Sequence, residues 1–207
     1  MALIGKEEGM RRLVVCVSLS LVALALNIGC FNDTEKMSPA GSQAIGKREI
    51  YTFSTDQRTG LSDSQPLKLP PGTTLEDALN QLGGRLAQTY FSKTYLNKET
   101  DIRFEIKSID QIPASSGPLR IAVINMVDKD RDAMKYFFQG SGGAQTTFFM
   151  LCATFMQPHL NPPLIDGLIF LYNGTMLSEL DHINLRGILI PRLVQRHVYQ
   201  VIRRAQR

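Results

Sequence analysis

Three features of this sequence have side chains or backbone that could do chemistry: a glycine-rich turn, the histidines and the cysteines. The turn, Gly140-Ser141-Gly142-Gly143, precedes an apolar stretch from about Ala144 to Gln157 that Pro158 stops. Backbone N–H groups at such a turn, opening a helix, can cradle phosphate. A nucleotide-binding loop also needs Lys and then Ser or Thr after its last glycine, and here Ala144-Gln145-Thr146 follow. A dinucleotide fingerprint would need glycine at 145, where Gln stands. The turn therefore reads as a tight connection with Ser141 capping the helix. The histidines are His159, His182 and His197. A metal site needs three or four convergent ligands, and these residues with Cys152 have no recognised spacing. Asp181 and His182 adjoin, yet neighbours along a strand point to opposite faces. Cys152 lies inside the apolar stretch, where a thiol packs as a small hydrophobe. No nucleophile with a base and an orienter is visible. The expectation is a protein that is not an enzyme and holds no metal or cofactor, with an envelope hydrolase as an alternative.

The remaining cysteines belong to the first 30 residues. Leu13 to Gly29 contains no charged side chain and follows Arg11 and Arg12 directly. A membrane-spanning helix needs about 20 apolar residues, whereas a secretory leader is shorter and ends at a small residue. Leu26-Asn27-Ile28-Gly29-Cys30 resembles the lipobox of bacterial lipoproteins, in which the cysteine is lipidated and becomes the mature N-terminus. Gly29 fits the position before the cysteine; Asn27 departs from the usual aliphatic residue. Residues 1–29 are read as a signal peptide, starting at Met1 or Met10, and an uncleaved signal anchor is the other reading. Both readings put the chain outside the cytoplasm, and in the first the membrane is a partner through lipid on Cys30. Phe31 is not the aspartate that retains many lipoproteins at the inner membrane, which leans the location toward the outer one. With Cys16 in the leader and Cys30 lipidated, Cys152 is left without an internal disulfide partner. Residues 30–47 carry Ser, Gly, Asn, Asp and Lys without period and read as a tether.

Charge follows the same division. The formal net charge is +4, but Lys6, Arg11 and Arg12 precede the leader's apolar run, and Arg192, Arg196, Arg203, Arg204 and Arg207 crowd the last residues. The body between is near neutral, so nucleic acid is not an expected partner. Leu193, Val194, Val198, Val201 and Ile202 recur near helical spacing among those arginines. Residues 191–207 thus form a basic C-terminal helix, which either packs on the body or lies on anionic lipid or wall polymer.

Residues 48–190 alternate strand and helix signals. Arg48 to Ser54 reads as a strand and Thr55 to Gly72 as a long loop. Thr73 and Glu76 form a capping box ahead of Leu75, Ala78, Leu79, Leu82 and Leu86, one apolar stripe. Gly83-Gly84 either breaks that helix or lies close against a neighbour. Asp101 to Ile109 alternates as a half-buried antiparallel strand, and Leu119 to Met126 suits the sheet centre. Leu164 to Tyr172 is a further buried strand. Asn173-Gly174 is a strong hairpin signal, because both central positions of a type I′ turn need positive φ. Thr175 to Leu180 could pair back, and Gly187 to Ile190 could close the sheet. The fold class expected is α+β: a mixed β-sheet with two main helices packed on one face, plus a C-terminal helix.

From about Arg48 to Pro191 the order of elements resembles the GerMN domain of spore-germination, sporulation and other bacterial envelope lipoproteins. The resemblance rests on the Ile50-Tyr51-Thr52-Phe53 strand, the Leu75 to Leu82 helix and the Ile121 to Met126 strand. The 140–143 turn, the segment from Asp166-Gly167 to Asn173-Gly174, and Gly187 complete it. One copy is present, where sporulation members often carry two, and Pro158 to Pro163 is an addition. The resemblance implies a ring-building-like module that works in envelope protein assemblies, with no catalytic residues to carry over. Partners expected are envelope proteins, with further copies of this chain as an alternative. His159, Leu160, Pro162 and Pro163, in a stiff projecting loop, and Arg192, Arg196, Arg203 and Arg204 are the candidate contact residues.

Overall fold

The apolar stretch around Cys152 organises the molecule, because a helix apolar on all sides must be covered on more than one. A computed structural model of the chain describes residues 40–55, 62–94, 96–129, 133–176 and 182–206. Two sheets are present among them. Strands β1 (Ile50–Thr55) and β2 (Ser62–Leu67) form an antiparallel pair. Strands β3 (Ile102–Ile112), β4 (Leu119–Asp128), β5 (Gly167–Tyr172) and β6 (Thr175–Met176) form a mixed sheet in that order. In it β3 and β4 are antiparallel, β4 and β5 parallel, and β5 and β6 antiparallel. The helices are α1 (Leu75–Thr89), α2 (Ala133–Phe137), α3 (Gly140–Met156) and α4 (Gln195–Ala205). The α+β class with a mixed sheet and a C-terminal helix is as expected.

Helix α3 passes between the two sheets. On one side Phe155 meets Phe104 of β3 and Phe170 of β5 edge-on, at 5.4 and 6.2 Å between ring centroids. On the other side its C-terminal end is sewn to the free edge of β1. The Tyr51 N–H donates to Gln157 Oε1 (2.7 Å), Gln157 Nε2 donates back to the Tyr51 carbonyl (2.6 Å), and the Phe53 N–H donates to Thr154 Oγ1 (3.3 Å). Gln157 and Thr154 are fully buried. A two-stranded ribbon leaves one edge of each strand unpaired; here two side chains take the place of a third strand. The same geometry admits Pro66 into β2. Pro66 pairs with Tyr51, whose backbone groups point away toward Gln157, so this is a position where the partner needs no inward N–H.

Strand β2 falls within the long loop expected from Thr55 to Gly72. Its sequence, Ser-Asp-Ser-Gln-Pro-Leu, has no β-branched residue to mark it; pairing with β1 and cover from α4 form it. The α1 cap is also one residue later than expected. Thr74 Oγ1 accepts the Asp77 N–H at 3.1 Å, while Thr73 closes the preceding turn through the Pro70 carbonyl. Helix α1 runs through Gly83-Gly84 unbroken because the first glycine is the contact point. A β-carbon on Gly83 would stand 2.9 Å from Cβ of Phe104, so the close-approach reading holds. Ser141 does not cap α3: Gln139 is the cap residue, its side chain making no capping bond, and Ser141 lies in the first turn. Asn173 and Gly174 have φ of 48° and 83°, as the hairpin requires. Leu189 bridges Leu168, so the segment expected to close the sheet does meet β5. Residues 177–181, expected to extend the return strand, lie outside the described residues.

Candidate interaction face

Both main helices lie on one face of the four-stranded sheet. Gly83 of α1 touches Phe104, and Phe155 of α3 touches Phe104 and Phe170. The register then assigns the opposite face. Side chains alternate along a strand, and cross-strand partners share a face. Arg103 with Val127, Glu105 with Asn125, and Asp110 with Ile121 therefore point away from the helices. Val123 with Ile169, Asn125 with Leu171, and Leu171 with Met176 continue the set. No described helix packs on this face.

Its middle is apolar. Val123, Val127, Ile169 and Leu171 are half-buried, while Ile112, Leu119, Met176, Ile188 and Ile190 are exposed, the last three by about half. Ile188 sits there because Gly167 has no side chain: a β-carbon would lie 2.7 Å from both Ile121 Cδ1 and Ile188 Cγ2. Asn125 is the central polar group and is fully engaged, its Nδ2 donating to Glu105 Oε2 (3.2 Å) and its Oδ1 accepting the Gly174 N–H (2.8 Å). Along β3 runs a charged rim. Asp101 pairs with Arg103 (2.8 Å) and Lys129 (2.7 Å), and Glu105 with Lys107 (2.8 Å). These pairs draw the Asp101 and Glu105 carboxyls below their ordinary range, led by the hydrogen bonds from Lys129 and Lys107 respectively. Larger apolar patches with polar rims mark protein or membrane contact sites or ligand grooves, which makes this the candidate face.

The residues singled out from sequence lie elsewhere. Cys30 is outside the described residues. The loop carrying His159, Leu160, Pro162 and Pro163 is strapped to the body. Arg48 Nη1 donates to the Pro162 carbonyl, Arg120 Nη2 to that of Pro163, Gln195 Nε2 to that of Pro158 and Tyr199 Oη to that of His159. His159 and Leu160 are half-buried, and Asn161 and Pro162 alone are well exposed. The loop is stiff, but it lies along the body rather than projecting, because Arg48, Arg120 and two side chains of α4 take up its carbonyls.

Arg192, Arg196, Arg203 and Arg204 are exposed, and none pairs with a described carboxylate. Most of the apolar stripe of α4 is spent, since Val194, Val198, Val201 and Ile202 are buried in the common core, while Leu193 just before the helix is exposed. The helix cannot lay that stripe on lipid while the fold is intact; only its arginines remain for an anionic surface. Residues 145–149 of α3, the start of α4 with the two residues before it, and Ser62 line an open cleft of about 320 Å³. It is lined by Phe148, Phe149, Leu193 and His197 among others. Cys152 is fully buried and burial pushes its thiol far up, so thiolate chemistry is suppressed. Among the described residues no three His, Cys, Asp or Glu side chains gather to hold a metal ion.

Acid sensitivity of the fold is expected at His159. Its Nε2 lies 3.0 Å from the Glu49 carbonyl, its ring stands edge-on to Tyr51, and its Nδ1 is buried without a partner. Burial holds the imidazole below its ordinary value, against the opposing pull of Glu49. Burial and Arg204 lower His197 likewise. With folded values depressed, the unfolded chain binds more protons, so this stability is present above about pH 6.5 and lost as pH falls through the folded values. The thermal midpoint is expected to fall between about pH 7.5 and pH 5, and His159→Gln to shrink that fall. Scanning calorimetry at the two pH values measures this.

Sequence reasoning missed the open face, although its signal was present. Leu119 to Met126 and Leu164 to Tyr172 are apolar on both faces, as strands covered on both sides are. Two main helices on one face cannot cover the other. No protein-family model, no curated protein and no solved structure matches this chain.

Proposed function

We propose that this chain is an exported, lipid-anchored envelope protein whose body is a protein-binding and assembly module of the GerMN kind. The observation that carries the binding role is the apolar face of the four-stranded sheet on which no described helix packs, centred on Val123, Ile169 and Leu171 and edged by charges on β3. The uncharged run from Leu13 to Gly29 ending at Cys30 supports export and anchoring. The tether then holds the body off the membrane, leaving the sheet face to meet other envelope proteins. The module works by contact and carries out no reaction.

The test combines anchoring with contact mapping in intact cells that express the full chain. Radiolabelled palmitate is expected to enter the protein and to be lost in Cys30→Ala. A photo-cross-linking side chain at Ile190 is expected to give discrete higher-mass adducts, and one at Arg85 of α1 to give none. Equal cross-linking from both positions, or from neither, would remove the face from the proposal. An unlabelled protein recovered from the soluble cell interior would remove the anchor.

A further inference from the structure

The charges along β3 identify an occupant for the open face. Read along the strand on the side away from the helices, they are Arg103, Glu105, Lys107 and Asp110, alternating in sign. Lys107 keeps to that side because the ladder shifts between Ile106 and Ser108, which places both Lys107 and Ser108 outward. Their bonding agrees: Lys107 reaches Glu105, and Ser108 Oγ donates to Asp110 Oδ2.

An alternating row of four charges has a particular symmetry. Reversed, it reads with every sign inverted. A second copy laid over the face with its β3 running the opposite way sets Arg103 against Asp110 and Glu105 against Lys107, each pair occurring twice. That arrangement is a two-fold axis lying across the strands, the isologous geometry in which one patch meets itself. The same axis crosses β4 near Ile124 and β5 near Phe170, so it brings Ile169 of one copy onto Leu171 of the other and Val127 onto Ile121. With Lys129 and Asp101 included, the rim holds three basic and three acidic side chains, so it favours a partner equally balanced over a strongly charged one.

The dimensions agree with a modest dimer. Strands about 4.8 Å apart and about 3.3 Å per residue give a face of roughly 500–600 Å². Two copies would bury about 1,000–1,200 Å², at the lower margin of specific interfaces. Pairing of two β3 edges is the competing geometry. The irregularity at Lys107 interrupts the edge it would need, as bulges on edge strands commonly do.

We infer that this face is the contact between two copies of the chain, packed sheet to sheet about a two-fold axis across the strands. The inference rests on reading the face as a protein-binding surface. Residues 38–207 form one compact unit with its core inside it, so they serve for measurement. Sedimentation equilibrium is expected to show the mass doubling across the micromolar range. Ile190→Glu, at an exposed position, is expected to leave a monomer with an unchanged circular-dichroism spectrum, and Ile169→Lys to do the same. Arg103→Glu is expected to raise the dissociation constant at least tenfold, and adding Asp110→Arg to the same chain to restore it.

A parent protein monomeric at about 100 μM overturns the inference. So does a dimer that both Ile variants leave intact, or one that Arg103→Glu weakens without recovery in the double variant. If the parent is monomeric while Ile190→Glu still abolishes cross-linking to a different protein in cells, the face binds another partner. The proposed function then stands without the dimer.

Discussion

Gln157→Met is expected to unfold at a thermal midpoint roughly 8–16 °C below the parent, the largest loss from any single uncharged replacement considered. Methionine matches the length of glutamine and fills the same space, so the change removes hydrogen bonds and spares packing. Gln157 accepts from the Tyr51 N–H and donates to the carbonyls of Tyr51 and Thr154, all at 2.6–2.7 Å and all buried. Without it both backbone groups of Tyr51 face the core unpaired, and each buried unpaired group costs about 1–3 kcal/mol. A total near 4 kcal/mol, at about 2–4 °C per kcal/mol for a domain of this size, gives the shift stated. Urea unfolding should show a lower midpoint with an unchanged slope. A cost below about 1 kcal/mol would mean that the β1 edge is satisfied some other way.

Adjacent glycines in α1 are expected to respond with opposite signs. Gly83→Val forces a β-carbon to within 2.9 Å of Cβ of Phe104 and 3.4 Å of the Phe155 ring. The Phe104 atom is joined directly to the β3 backbone and cannot swing aside, so helix and sheet must part. Overpacking of this kind costs about 1–3 kcal/mol, and the branched side chain puts this site at the upper end. Gly84 is exposed and has nothing within 4 Å of its missing β-carbon. Gly84→Ala therefore gains helix propensity unopposed, up to about 1 kcal/mol. Equilibrium unfolding of the two variants should bracket the parent. Destabilisation by both would show that the helix depends on its flexibility at the pair rather than on one close contact.

What could be read from sequence was what is set within a few residues. The β3 alternation, the α1 stripe and the Asn173-Gly174 hairpin are each decided by local backbone preference and the period of apolar side chains, and each is where it was expected. The uncharged run from Leu13 to Gly29 before Cys30 is likewise a local pattern, and the expectation of export rests on it. Residues that owe their structure to distant partners were not legible. Ser62–Leu67 has no strand character of its own and becomes one because β1 lies beside it. Gln157 reads as the last polar residue before a proline; its role comes from Tyr51, 106 positions away. His159 and the prolines that follow look like a free loop until four carbonyl contacts from remote segments tie it down. The uncovered face was decided the same way. Periodicity says which side chains of β4 and β5 are apolar, whereas the path of the chain in space places both main helices on one side, and no described helix lies on the other.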